Sequence, residues 1–414
     1  MHVLYLHQHF VGPQQAGATR SFEMARRLVV RGHRVTMLGS VRERGSGSVR
    51  REQLEGIELH RATVPYDNAM GPRARVQAFA RYGQWACREL MRHRPDVVFA
   101  TSTPLTVAIP GLWGRLWHRV PMVFEVRDLW PELPIAVGAL RSPWTRGAAR
   151  ALAWAAYRGA AEVVALSPGM AEGVAGWGVP SERITMIPNG CDCEAFAVEP
   201  SLAAADRARR WPDLSPDDPL VMYAGTLGWM NDVGWLVDVA AAMVGTDPRV
   251  GFAIVGEGAQ RAEIAARVER AGLAATVRLH PAVPKCEVPA LLAGATVMTS
   301  LFRDLPQMAH NSANKLFDGL AAGRPVAINY GGWQAPLLRK SGAGLVLPRS
   351  PAAAAQQLQA FVRDPARVVA AGTAARTLAR ERFDRDDQAR ALEAVLERAI
   401  ARFGRATPKP PKVC

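Results

Sequence analysis

The segment HNSANKLFDGLAAGRPVAINYGGW, His310 to Trp333, sets two opposite charges three residues apart. On a helix, Lys315, Asp318 and Ala322 share one face, while Leu316, Phe317 and Leu320 form a buried one. Lys315 offers a compact ammonium to a phosphate. Asp318 accepts hydrogen bonds only and suits a diol such as that of ribose. Asn311 or Ser312 is expected to cap the helix, with Asn314 beside them; Gly323 ends it and Pro325 follows. Free N–H groups at such a helix start favour an anion. The competing reading is a surface ion pair worth a few tenths of a kcal/mol. Only five lysines occur in 414 residues, so Lys315 is not drawn from a lysine-rich background.

Similar chemistry is written at other strand ends. FEVRDLWPE carries Arg127, Asp128, Trp130 and Glu132 where an apolar strand stops. Charges there are costly unless they are paired or face a ligand; a structural Arg–Asp pair is equally compatible. GPQQAGATRS joins the first strand to a helix, with Gly17 and Ala18 in the turn and Arg20 as a charge. An ordinary connecting loop explains it as well. VMYAGTLGWMND supplies Gly225, Thr226 and Gly228, and VGEGAQRAE supplies Glu257, at the ends of two further strands. Glycines there let backbone approach a ligand. Neither a P-loop, a G-x-G-x-x-G fingerprint nor a G-x-S-x-G elbow is present. His7, His9 and His33 lack metal-ligand spacing. Asp384 to Asp387 reads as a solvated helix start.

These residues need a scaffold that lines up strand ends. Short apolar strands alternate with amphipathic helices in both halves, which predicts parallel sheets wrapped by helices. The reading is α/β, with two doubly wound Rossmann-like domains facing a cleft. The domains are 1–195 and 219–383, joined by an irregular linker at 196–218. A helix at 384–404 is expected to cross back, and 405–414 to be a disordered tail.

Hydrophobic residues make up 49% of the chain and charged residues 21%, with a formal net charge of +14. The positive charge is spread along the sequence, which disfavours a nucleic-acid-binding tail and suits an anionic small molecule or lipid surface. Arg81, Arg88 and Arg92, then Arg146, Arg150, Trp154 and Arg158, form basic helical stripes, and Trp113 and Trp117 lie one turn apart. Such faces suit the rim of an anionic bilayer. No apolar run reaches the roughly 18 residues of a membrane span. No secretory signal is read, and five cysteines without paired spacing suggest free thiols in a reducing cytoplasm.

Taken in order, GATRSFEMARRLVVRGHRVTML, ALSPGM, IPNGCDCEAF, YAGTL, IVGEGAQRAEI and NKLFDGLAAGRPVAINYGGW resemble glycosyltransferase family 4, which has the GT-B fold. HQHF, VRDLWPE and SANKLFDGLAAGRPV look most like the bacterial amino-deoxy-sugar transferases of surface-polysaccharide assembly. The resemblance implies a retaining hexosyltransferase that needs no metal or other cofactor. It implies a UDP-sugar donor, a lipid-phosphate or glycolipid acceptor, and peripheral association with the inner face of the cell membrane. Asp318 matches the family's ribose-binding second acid, and His310 stands where the first glutamate is expected. Thr226 and Asn231 occupy the positions of the usual Arg and Lys. The diphosphate charge is then assigned to Lys315, Arg303, Arg20 and Arg127, in that order. Arg127 replaces the family's cleft histidine and precedes Asp128; Gly17 matches the glycine loop, with Ala18 for its second glycine. A GT-B-fold UDP-sugar epimerase and a non-catalytic sugar-nucleotide or glycan-binding protein are the alternatives.

Overall fold

The computed structural model describes residues 1–13, 17, 19–41, 49–66, 70–136, 138–247 and 249–406. The chain divides into two compact units. The first is Met1–Val11, Thr19–Pro188 and Asp386–Cys414; the second is Gly12–Ala18 and Asn189–Arg385.

The first unit holds eight strands: β1 (His2–Leu6), β2 (Arg34–Val41), β3 (Val49–Leu54), β4 (Ile57–Thr63), β5 (Val97–Thr101), β6 (Met122–Val126), β7 (Glu162–Ala165) and β8 (Ile184–Met186). Their order is β3-β4-β2-β1-β5-β6-β7-β8, and every pairing is parallel except β3 with β4. Alternation along β1 serves both faces. Val3 and Tyr5 pack with the helix Arg20–Val30, and Leu4 and Leu6 with Tyr82, Ala86 and Leu90 of the helix Pro72–His93. The last helix, Arg385–Ala406, covers the first face with Ala389, Leu392, Val395, Leu396 and Ala399. Arg402 reaches the buried Glu162 at 3.1 Å, so this helix is also pinned by charge.

The second unit is an all-parallel six-stranded sheet: β9 (Leu220–Ala224), β10 (Gly251–Val255), β11 (Val277–His280), β12 (Val297–Ser300), β13 (Val326–Ile328) and β14 (Gly344–Val346), ordered β11-β10-β9-β12-β13-β14. Within each sheet taken by itself the parallel strands end at a common carboxyl edge, where ligands collect in such folds.

Three local expectations differ. The segment at 196–218 is not an irregular linker: it contains the helix Pro200–Arg210, and Phe196, Trp211 and Leu214 are buried in the second unit's core. The strand β3, VRREQL, escaped sequence reading because most of its residues are exposed and carry no apolar alternation. The helix after His310 starts at Asn314, with Ala313 at its cap position and no side-chain cap. Asn311 Oδ1 instead accepts from the Ala313 N–H at 3.2 Å, and Ser312 Oγ from the Asn189 N–H at 3.0 Å. From residue 407 the expected tail lies outside the described residues.

Candidate functional site

In the second unit Lys315 lies at the carboxyl edge of β9. It sits in the first turn of the helix Asn314–Ala321, whose Leu316, Phe317 and Leu320 fix it to the core. Its ammonium donates to Asn231 Oδ1 at 3.0 Å. It also stands 5.3 Å from the Tyr223 ring centre and 5.1 Å from that of Phe302. Among the described residues no carboxylate lies within ion-pair distance of it. Burial pushes its ammonium down to about 8. A cation held between two aromatic rings and an amide, with no counter-ion, is a ready anion ligand.

Gly225 makes room for that side chain. Its φ is +155°, and a Cβ there would stand 3.0 Å from Lys315 Cε. Gly256, at the end of β10, would drive a Cβ to 1.9 Å from the Gly225 carbonyl oxygen. The two strand ends are therefore packed backbone to backbone. The Leu227 N–H donates to the Glu257 carbonyl at 2.8 Å, while the Glu257 side chain is exposed and 3.7 Å from Arg261. Thr226 is exposed, and its carbonyl accepts from Tyr223 Oη at 2.8 Å. Arg303 stacks on Trp229 at 4.4 Å and donates to that residue's carbonyl at 2.7 Å. The helix face predicted for a phosphate thus assembles Lys315, Gly225, Asn231 and Tyr223.

Asp318 is turned elsewhere. Its Oδ2 accepts from Lys285 Nζ at 2.6 Å, and its Oδ1 is buried with no partner. The i, i+3 ion pair between Lys315 and Asp318 does not form. Lys285, the first lysine in the sequence, was missed as a site neighbour; its rarity in an arginine-rich chain was the available signal. His310 closes the short turn Pro306–His310. The Asn311 carbonyl accepts from Trp333 Nε1 and Gln334 Nε2 at 2.8 and 3.2 Å, and Asn314 Oδ1 is buried without a partner.

In the first unit Arg20 is not available to a ligand. It is 2% exposed, and its Nε donates to Glu125 Oε1 at 2.9 Å. Its two terminal nitrogens donate to the carbonyls of Pro188 and Ile187 at 2.6 and 3.0 Å. With three of its donors held in this clamp and the side chain buried, it presents no guanidinium face to a diphosphate. Gly17 has a φ of +147°; Ala18 lies outside the described residues.

Arg127 and Asp128 follow β6, half-buried. They form no salt bridge with each other. The Arg127 N–H donates to Ser102 Oγ at 2.9 Å, and Thr103 Oγ1 approaches Asp128 Oδ2 at 3.4 Å. Burial pushes the Asp128 carboxyl up to about 6, against the pull of Arg127. His7, at the end of β1, is also buried. Burial first, then Arg127 and His9, hold its imidazole well below the usual histidine value. Its Nδ1 has no partner, nor does either side-chain atom of Gln8. On the outside of this unit, Trp144 is 89% exposed and Trp117 67%, with Leu116 and Trp154 also exposed. Arg158 lies over the Trp154 ring at 5.8 Å. Among the described residues no helix is long and apolar enough to cross a membrane.

Residues 16–190 match the family model of the glycosyl transferase 4-like domain, and residues 218–364 that of glycosyl transferases group 1. No curated protein matches the chain. Among solved structures, Anabaena HepE in complex with UDP and glucose is similar at 18% identity and TM-score 0.71, over 96% of this chain and 99% of that one. Sucrose-phosphate synthase from Thermosynechococcus elongatus is similar at 16% identity and TM-score 0.74, over 97% and 99%. WaaG, a glycosyltransferase involved in lipopolysaccharide biosynthesis, is similar at 16% identity and TM-score 0.71, over 95% and 99%. At these identities the likeness speaks to fold, which is GT-B.

Proposed function

The chain belongs to the family 4-like glycosyltransferases, and from that premise we propose that it moves a sugar from a UDP-sugar to a lipid-phosphate-linked or glycolipid acceptor with retention of configuration. The donor sugar is an N-acetylhexosamine or a relative of one. The observation that carries this reading is the Lys315 ammonium, unpaired by any described carboxylate, beside Gly225 at a strand end. The structures of HepE with UDP and with UDP-glucose support the choice of donor.

Lys315 holds the diphosphate and stabilises the charge that grows on the leaving UDP. Arg303, on the same unit, supplies further positive field, and no resident metal is assigned to the reaction. The donor ribose is assigned to Asp318, shorter than the expected glutamate, which would have to share or leave its pair with Lys285 to receive it. His310 bears on the choice of sugar. Asp128, poised near 6, takes the proton of the acceptor hydroxyl. The exposed tryptophans and the arginines beside them support docking of the first unit on an anionic bilayer, at the inner face of the membrane.

The test is a donor screen by thermal shift with UDP, GDP and their sugars, followed by mass spectrometry of products on lipid extracts. Stabilisation by UDP and a sugar-bearing lipid product with the donor's anomeric configuration are expected. Stabilisation by GDP alone would remove the donor assignment. Donor hydrolysis with no lipid product would remove the acceptor.

A further inference from the structure

At the amino ends of β1 and β5, the edge opposite Arg127 and Asp128, five titratable side chains converge. Glu58 and His60 project from β4 two residues apart, hence to the same face of the sheet. Glu89 and His93 come from the last turns of the helix Pro72–His93, four residues apart on one side. His2 opens β1, its ring edge-on to His93 at 5.9 Å between centroids. Glu89 is 1% exposed and His60 2%.

An arginine holds one oxygen of each carboxylate. Glu58 Oε2 is held by Arg34 at 2.9 Å and Thr36 at 3.1 Å, and Glu89 Oε1 by Arg92 at 2.9 Å. Each carboxylate thus turns its other oxygen inward. His60 Nδ1 is 3.0 Å from Glu89 Oε2, and His60 Nε2 is 3.1 Å from Glu58 Oε1. A carboxylate only accepts, so both ring nitrogens are satisfied only by a doubly protonated ring or by another cation on Nε2. His93 Nε2 stands 3.5 Å from the same Glu89 Oε2, and one ligand atom each from Glu58, His60 and His93 lies within 4.8 Å of the others.

We infer that Glu58, His60 and His93 form a site for a divalent transition-metal ion, zinc above all, remote from the sugar-transfer chemistry. Zinc bound at about 2.0–2.2 Å to nitrogen and carboxylate oxygen sets neighbouring ligand atoms roughly 3.2–3.5 Å apart. The His60–Glu58 separation is already close to that, and the His93 ring would have to close in from within 4.8 Å. Glu89 accepts from His60 Nδ1–H and so presents Nε2 to the ion, as a carboxylate does behind many zinc-bound histidines. The ion would tie β4 to the helix Pro72–His93. The motif is invisible in sequence because strand and helix each carry only half of it.

The experiment uses the full chain without an affinity tag, stripped by chelator and titrated with CoCl2, then ZnCl2. A visible ligand-field band that saturates at one Co2+ per chain, is abolished by one equivalent of Zn2+, and accompanies a higher Tm is expected. His93→Ala should weaken Co2+ binding at least tenfold, and Glu89→Gln about 10–100-fold. Circular dichroism checks that the variants are folded, and Glu58→Gln replaces His93→Ala if the latter is not. Absence of one-to-one binding by the unmodified chain overturns the site. So does unchanged affinity in a folded His93→Ala or Glu58→Gln variant.

Discussion

Lys285 and Asp318 form an ion pair at 2.6 Å, so the acid of the helix Asn314–Ala321 is answered from the turn before the helix Val288–Ala293 and not by its own neighbour Lys315. These two lysines therefore have opposite stability signatures. Removing Lys285 leaves a nearly buried carboxylate unpaired. Lys285→Met is expected to lose about 1–3 kcal/mol in urea unfolding. Lys315→Met removes a partly buried cation that has no counter-ion, and its stability should be unchanged or higher. A loss of more than about 1 kcal/mol in Lys315→Met would show that Lys315 is a structural residue.

The pH dependence follows from two shifted groups. Asp128 acts as a base when ionised, so activity should rise with pH through about 6. Lys315 binds the diphosphate when protonated, so activity should fall with pH through about 8. The profile of kcat/KM for the donor is expected to be bell-shaped between those limbs. Asp128→Asn should lower kcat and erase the acidic limb, and Lys315→Met should erase the alkaline one. An acidic limb that survives in Asp128→Asn would assign it to another group.

Arg20 is expected to matter for folding, not for donor affinity. Cutting it to Ala strands Glu125, which is fully buried and also accepts from Thr101 at 2.5 Å. The cost should be about 3–5 kcal/mol. Denaturant unfolding measures it, and UDP titration of the folded protein at low temperature should give the wild-type Kd. A large rise in Kd would return Arg20 to the ligand.

Much of the architecture is legible because parallel strands buried on both faces read as unbroken apolar runs, as in VVFAT and GFAIV. β3 lacks that signal, being an exposed antiparallel strand. Site residues are harder for a different reason. Arg20 and Lys315 look alike as cations in the first turn of a helix that follows a strand and loop. What separates them is a partner over a hundred residues away: Glu125 covers Arg20, and no described carboxylate covers Lys315. The cluster of Glu58, His60 and His93 is hidden in the same way. Spacing along the chain reports neighbours on one element, not those that two elements bring together.

The exposed aromatic face makes a separate prediction. Trp117→Ser with Trp144→Ser should reduce cosedimentation with vesicles rich in anionic lipid by about tenfold, with turnover of soluble donor unchanged. Binding should also fall as salt rises, since arginines share the contact. Equal binding by the double variant would exclude this face.

His310 stands where a glutamate is expected, and His310→Ala should change the preference among UDP-sugars while leaving UDP affinity within about twofold. Competition between paired donors, read by mass spectrometry, measures this; unchanged preference would dissociate His310 from the sugar.

The most direct measurement is calorimetric titration of UDP into the wild-type chain and into Lys315→Met at pH 7. The wild type should bind UDP and the variant should bind at least tenfold more weakly, with its fold and Tm retained, since a charge-assisted phosphate contact is worth about 1.5–3 kcal/mol. Equal UDP affinity in the two proteins would contradict the assignment of the diphosphate to Lys315.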